Sequence, residues 1–408
     1  MRNVIIIEPS SAGLELLPAA KSMNLGVFVF TSNTDERIVP SQYHHYIDRM
    51  IKVDTYDVSE MHAIFQKINQ IHPLSAIIPG SEYHVPIAAY LAKLVNLPGV
   101  VLQYVNHLRI KSDMRKCLKQ HGIRQPRYVV ITDEIEINSA SQLIGFPCVL
   151  KPVASAGSMH VSRVNTIQEL SKAYQQLRSD PWSELGKGIG NIALIEEYIN
   201  GEEFSVEGFI GNSNVHIISI TKKFLTPEPF FIEMGHIVPA NISMEAQTLI
   251  KDYVQEVIKS LCINLGVFHV ELRIDTQGLP ILMEIAGRLP GCRISDLIQL
   301  ATENNLYRMM IQSHLGLPIR ITTGNIKQYA GMRYFTLKEK NGFTHVNGIN
   351  ELQAIPGFYD FNLLKKPGEY VPPLTTFLGR VAMCIFTAPT YEELKSRLDK
   401  AVSVISFS

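Results

Sequence analysis

No charge of either sign dominates this chain. It carries 38 Lys and Arg against 38 Asp and Glu, which argues against an extended nucleic-acid footprint or a polybasic membrane patch. Cysteine is sparse and scattered. The five, at positions 117, 148, 262, 292 and 384, form no CxxC pair and no zinc-knuckle spacing, and an odd, dispersed set favours reduced thiols and a cytoplasmic protein. No apolar run approaches the ~18 residues needed to span a bilayer. The opening Met1-Arg-Asn-Val-Ile-Ile-Ile7 is too short for a signal-peptide core and stops at Glu8-Pro9, so it reads as a first buried strand. Repeats and low-complexity tracts are missing. No G-x-G-x-x-G follows the first strand, which counts against a dinucleotide-dependent oxidoreductase. What is present is ample core material: 46% hydrophobic residues over 408 positions, enough for two or three domains.

The N-terminal hundred or so residues alternate strand and helix. Val4–Ile7, Gly26–Phe30 and Ala76–Pro79 read as strands, with a Ser10-Ser-Ala-Gly13 turn and helices between them, implying an α/β fold with a doubly wound parallel sheet. The Ser10–Gly13 turn could cradle a ligand or be plain turn chemistry. Residues 107–125 read as an amphipathic helix whose Lys111, Arg115, Lys116 and Lys119 are expected to form a solvated face. Strands and turns are expected to dominate 126–220, with a breaker-rich loop over 179–190. Helix returns around 243–262, and the tail from about 320 carries short strands, a Pro/Gly stretch and a final helix from Tyr391.

Two glutamates stand out. Gly266–Asp275 and Pro280–Ala286 read as the strands of a hairpin around Thr276-Gln-Gly-Leu279. A turn centred on Gln277-Gly278 sets Glu271 opposite Glu284 on one face. Opposed like charges repel, so a cation between them is expected, and carboxylate oxygens suit a hard divalent ion such as Mg2+ with a phosphate bridging it.

A phosphate-handling pattern lies upstream. Phe146-Pro-Cys-Val-Leu-Lys151-Pro is an apolar strand ending in lysine, followed by the small-residue run Val153-Ala-Ser-Ala-Gly-Ser158. The lysine supplies a point charge and the loop admits close backbone N–H approach, although an ordinary hairpin turn explains the loop equally well. Ala193-Leu-Ile-Glu196-Glu197-Tyr198-Ile199, then Gly201-Glu-Glu203, offers extended backbone for an adenine edge and a carboxylate for ribose hydroxyls, or simply a solvated acidic turn.

Taken together and in this order, the lysine-bearing helix, Lys151 with its loop, the Glu-Glu-Tyr-Ile hinge and the Glu…Glu hairpin resemble the ATP-grasp superfamily. Phe230-Phe-Ile-Glu-Met-Gly-His236-Ile-Val-Pro239 and Met283-Glu-Ile-Ala-Gly-Arg288-Leu-Pro-Gly291 look most like the L-amino-acid (dipeptide) ligases within it. The resemblance implies three domains: a pre-grasp α/β domain over 1–105, the grasp over 106–315 with a small subdomain at about 125–195, and a lid over 316–408. It implies that Lys111 and Lys151 hold ATP phosphates under the Ser155, Gly157, Ser158 loop. Glu196, Glu197, Tyr198, Ile199 and Met283 would surround adenine, and Glu203 would take the ribose. Glu271 and Glu284 would hold Mg2+, with Mn2+ as an alternative. Glu233, His236, Arg288 and Gly291 would line the substrate site, with Arg288, Lys151 and His236 acting in catalysis. Where the family commonly has an asparagine as a further metal ligand, this chain has Ala286.

The implied reaction joins a carboxylate to an amine through an acyl phosphate, with release of ADP. Its substrates would be amino acids or small carboxylic acids, and a homodimer through the N-terminal domain follows by family likeness. Other ATP-grasp chemistry (a purine-pathway ligase or a carboxyphosphate-type carboxylase) and a non-catalytic nucleotide-binding protein are the alternatives.

Overall fold

The computed structural model describes residues 2–155, 157–179, 183–185, 187–188, 190–211, 214–322, 326–337 and 341–408. The N-terminal layer comprises β1 (Asn3–Ile7), α1 (Leu16–Ser22), β2 (Gly26–Thr31), β3 (Arg49–Lys52), α2 (Val58–Ile71), β4 (Leu74–Pro79) and α3 (Val85–Leu94). Its strands run parallel in the order β3-β2-β1-β4, as the strand–helix alternation implied. The central strands are buried on both faces, which is why they read as unbroken apolar runs. Asp57 starts α2 by accepting hydrogen bonds from the backbone N–H of Ser59 and Glu60.

The loops that follow β1 and β4 touch. The Ser10 N–H donates to the Gly80 carbonyl at 3.2 Å, and a Cβ on Gly13 would lie 1.9 Å from that oxygen. Only glycine fits at position 13. Ligands of such sheets bind beyond the carboxyl ends of the strands, and these two loops form one wall of the cavity described below.

The expected solvated face of the next helix is half right in α4 (Lys111–Gln120): Lys116 and Lys119 are exposed, but Lys111 is buried and Arg115 is 0% exposed. After it come β5 (Tyr128–Ile131), α5 (Ile137–Ile144), β6 (Cys148–Pro152), β7 (Ser162–Val164), α6 (Ile167–Ser179), β8 (Ser183–Glu184), β9 (Lys187–Gly188) and β10 (Ala193–Glu197). The small sheet is ordered β5-β10-β6-β7. Here α5 and α6 overturn the expectation of strands and turns. In α6, Leu170, Tyr174 and Leu177 share the buried face at helical spacing. Its start is capped reciprocally: the Glu169 N–H donates to Thr166 Oγ1 at 3.2 Å, and the Glu169 carboxylate accepts from the Asn165 N–H at 2.7 Å. Within the expected loop over 179–190, β8 and β9 pair as a short hairpin; positions 180–182, 186 and 189 of that loop, and 156 of the phosphate loop, lie outside the described residues.

The remaining elements are β11 (Gly201–Gly211), β12 (Asn214–Leu225), β13 (Glu233–Val238), α7 (Met244–Ser260), β14 (Gly266–Asp275), β15 (Pro280–Ala286), α8 (Ile294–Thr302), α9 (Leu306–His314), β16 (Tyr329–Thr336), β17 (Val346–Asn347), α10 (Ile349–Gln353), β18 (Phe358–Leu363), β19 (Arg380–Ala388), α11 (Tyr391–Val404) and β20 (Ser406–Phe407). One sheet runs β15-β14-β11-β12-β13-β16-β19-β18. The C-terminal strands β16, β19 and β18 therefore extend the sheet that carries the two glutamates, and α11 packs on them. In α11, Thr390 accepts from the Glu393 N–H.

The hairpin β14–β15 sets Glu271 opposite Glu284, as expected, but by a different route. Beside the turn, Leu272 faces Leu282, one residue tighter than a turn centred on Gln277-Gly278 would give. Gly278 takes φ +78° in a three-residue loop, and a bulge at Met283 restores the glutamate pairing.

Candidate active site

A cavity of about 530 Å³ opens between the N-terminal loops and the large sheet. Ser10–Gly13 and Gly80–Tyr83 form one wall. Glu233, Glu271, Glu284, Ala286 and Arg288 form the other, Gly157 and Ser158 reach in from the small sheet, and Thr375–Leu378 with Arg380 close the far side.

The opposed glutamates are compensated as the like-charge argument requires, by lysines on either side. Lys111 Nζ lies 2.8 Å from Glu284. Lys223 Nζ lies 2.9 Å from Glu271, and also 3.0 Å from Glu203 and 2.7 Å from Glu233. Burial opposes the Lys223 charge, but Glu233, Glu271 and Glu203 outweigh it and raise its pKa well above the ordinary lysine value. Lys223 was not singled out from sequence, although its place on β12 beside the hinge strand β11 makes the register the only signal for it. Glu271 also accepts from His269 Nε2 at 3.1 Å, while His269 Nδ1 lies 2.9 Å from the fully buried Glu207. Burial works against the imidazolium, yet the hydrogen bonds to Glu207 and Glu271 raise the His269 pKa to about 9. Lys223 first, and then the His269 hydrogen bond, hold the Glu271 carboxyl well below its usual range despite burial. Glu271 and Glu284 offer oxygen donors only and sit in direct register, a set that fits a hard cation such as Mg2+. Ala286, opposite His269, adds no donor, so further ligands would be phosphate oxygens or water.

Behind the glutamates lies a second charge cluster. Glu196, 2% exposed, accepts from Arg115 Nε at 2.6 Å and lies 2.6 Å from Lys151 Nζ. Burial would raise its pKa, but Arg115 and Lys151 outweigh that and hold it at about 2. Lys151 moves the other way: burial lowers its pKa, and with the neighbouring Arg115 charge acting in the same direction Glu196 does not offset it. The bulged Met283 carbonyl accepts from both cations, at 3.0 Å from Arg115 and 3.2 Å from Lys151. Glu196, expected beside adenine, pairs with both Lys151 and Arg115, and Arg115 carries no local sequence signal of that pairing. Lys111 Nζ also donates to the Ser155 carbonyl at 2.8 Å, tying α4 to the phosphate loop. Glu197 faces outward beside Arg127 at 3.3 Å. Tyr198 stacks under Arg163 and donates to Glu228, and the Ile199 carbonyl accepts from Arg273, which also binds Glu203.

On the substrate side, Arg288 Nε and a second nitrogen each lie 2.8 Å from one Glu82 oxygen, and Arg109 takes the other at 3.1 Å. Burial penalises Glu82, yet Arg288 and Arg109 keep it ionised. His236 departs from expectation. It is 0% exposed, does not border the cavity, and neither ring nitrogen has a hydrogen-bond partner. Burial lowers its pKa to about 4, so it is a neutral packing partner behind Glu233, 3.7 Å away. Glu233 also accepts from the Cys292 thiol at 2.9 Å. These three could group around an ion, but Lys223 and Arg380 already supply the positive charge there. Gly291 borders the cavity as expected.

The comparisons agree with this geometry. Residues 144–296 match the ATP-grasp domain model and residues 333–408 the model of L-amino acid ligase C-terminal domain 2. An L-arginine-specific L-amino acid ligase of Bacillus subtilis is 23% identical over 81% of this chain and 79% of its own length. The crystal structure of an L-amino acid ligase from Bacillus licheniformis superposes with TM-score 0.83 at 22% identity, covering 100% of this chain and 98% of that one. N5-carboxyaminoimidazole ribonucleotide synthetase from Thermotoga maritima gives TM-score 0.74 at 18% identity, covering 100% and 99%. Among the described residues no helix is long and apolar enough to cross a membrane. The chain carries an ATP-grasp domain and, C-terminal to it, a domain of the type found in L-amino acid ligases.

Proposed function

We propose that this chain is an ADP-forming ligase that joins an amino acid to a second amino acid or a small carboxylic acid. The observation that carries the reading is one cavity that holds the opposed pair Glu271–Glu284 together with Arg288, with Lys111 and Lys223 on the two carboxylates. A carboxylate is a poor electrophile, and phosphorylation by ATP supplies the leaving group. Mg2+, or Mn2+ in its place, would be held by Glu271 and Glu284 and would neutralise phosphate charge during transfer. Lys111 and Lys151 would supply ammonium groups to the phosphate oxygens. Arg288, oriented by Glu82, presents its guanidinium to the substrate carboxylate. Thr375–Leu378 and the loop at Gly157 and Ser158 border the cavity on two sides, where closure would keep water from the acyl phosphate. A cytoplasmic homodimer is consistent with this reading. The L-amino-acid-ligase type of C-terminal domain favours it over purine-pathway chemistry.

The test is ADP formation that requires a carboxylic substrate, with the acyl phosphate trapped as a hydroxamate by hydroxylamine. Glu284→Gln should abolish both while leaving the fold intact. Full activity in that variant would remove the metal assignment.

A further inference from the structure

A buried chain of hydrogen bonds runs from the cavity wall into the N-terminal layer. Ser81, on the wall, has its Oγ 2.7 Å from His84 Nδ1. His84 Nε2 lies 2.9 Å from Thr55 Oγ1, which in turn lies 2.6 Å from Glu8 Oε2. Glu8 also receives the Thr31 hydroxyl and, at 3.2 Å, the Ser32 N–H. None of the four is more than 7% exposed. Glu8 holds a left-handed backbone, φ +50°, a conformation uncommon for a non-glycine residue and one that surrounding contacts must enforce.

The direction of every proton in this chain follows from its far end. A carboxylate only accepts, so Thr55 donates its single hydroxyl proton to Glu8. The Thr55 oxygen must then accept from His84 Nε2–H. A neutral imidazole protonated at Nε2 has a bare Nδ1, which accepts the Ser81 proton. Burial, reinforced by Arg37 and Arg109, pushes the His84 pKa down to about 3, so the ring stays neutral and the order does not reverse at working pH. Ser81 therefore shows the cavity an oxygen with lone pairs and no proton. Such an atom suits a group rich in N–H and repels a carboxylate. Its neighbour in sequence, Glu82, anchors Arg288, the arginine expected at the activated carboxylate, and both Ser81 and Arg288 border the same cavity.

We propose that Ser81, held as a pure acceptor by the His84–Thr55–Glu8 relay, binds the N–H of the attacking amine and so aims its lone pair at the acyl carbon. The chemical class it selects is a primary amine, as in a second amino acid. His84, Thr55 and Glu8 are positioning residues. The inference rests on the ligase reading above.

The experiment compares two nucleophiles on one acyl phosphate in Ser81→Ala, Thr55→Val and Thr55→Ser enzymes. Hydroxylamine is small and has no need of the Ser81 seat, whereas the amino acid acceptor does. In Ser81→Ala the ratio of peptide to hydroxamate formation should fall about 2- to 10-fold, the range for a lost hydrogen bond between neutral groups, with the loss in KM for the amine. Thr55→Val, which frees the Thr55 end of the relay, should lower the ratio less, and Thr55→Ser should restore it. Thermal unfolding of each variant shows whether it is folded. An unchanged ratio in folded Ser81→Ala would overturn the proposal. A fall of both products together, or a raised KM for the carboxylic substrate instead, would overturn it too. Wild-type enzyme that forms no hydroxamate with any carboxylic acid would overturn the ligase reading itself, and this proposal with it.

Discussion

Lys151 and Lys223 are both buried lysines among carboxylates, yet their environments push them in opposite directions. Lys223 has Glu203, Glu233 and Glu271 within 3.0 Å and its pKa rises. Lys151 must share Glu196 with the fully buried Arg115, and its pKa falls. The difference lies in charge count, since burial acts against both ammonium groups. Around Lys223 three carboxylates converge on one shared ammonium, with His269, Arg273 and Arg380 as their outer partners, a site built to hold carboxylates in place. Around Lys151 two cations converge on one carboxylate, which leaves positive charge over for an incoming phosphate.

The largest expected effect breaks the first cluster. Lys223→Met leaves three carboxylates without their shared cation, and chemical denaturation should show a loss of about 3–5 kcal/mol, as for a buried pair deprived of one partner. Lys151→Met should cost less, about 1–2 kcal/mol, because Arg115 still partners Glu196. Equal losses in the two variants would remove the asymmetry. Acid titration sharpens the comparison. The Glu196 pKa is about 2 in the folded protein against ~4.3 unfolded, a depressed value. Its contribution, on the order of 3 kcal/mol, is therefore present above pH ~4.3 and lost as pH falls through 2. Stability measured across that window should fall less steeply in Glu196→Gln than in wild type. The smallest effect is at the surface: Arg124, 2.6 Å from Asp275 but 40% exposed, should cost no more than about 1 kcal/mol when changed to alanine.

Much of the fold could be read from the sequence because the informative segments are locally consistent. The parallel strands are continuous apolar runs, and the Glu271–Glu284 pairing survives a misplaced turn centre because the Met283 bulge compensates for it. What could not be read is tertiary charge pairing. Arg115 looks like any helix-surface arginine until Glu196 is found opposite it from a strand 81 residues away, and Lys223 has meaning only once β11, β13 and β14 place three glutamates around it. The helices α5 and α6 were missed for a local reason. Their polar residues, and in α5 a length of 8 residues, mask the period, although Thr166 and Glu169 mark the start of α6. His236 shows the converse: only the family resemblance implied a pocket role, and the ring is fully buried, away from the cavity lining.

The central claim is tested most directly by phosphate release from ATP and Mg2+ across all pairwise mixtures of the common amino acids, with product masses read in each active mixture. The account predicts release that depends on both substrates and a product one water lighter than their sum. Release that needs only one substrate and yields no condensed product, or an enzyme that binds ATP and turns over with none of the mixtures or of a panel of small carboxylic acids, would contradict it.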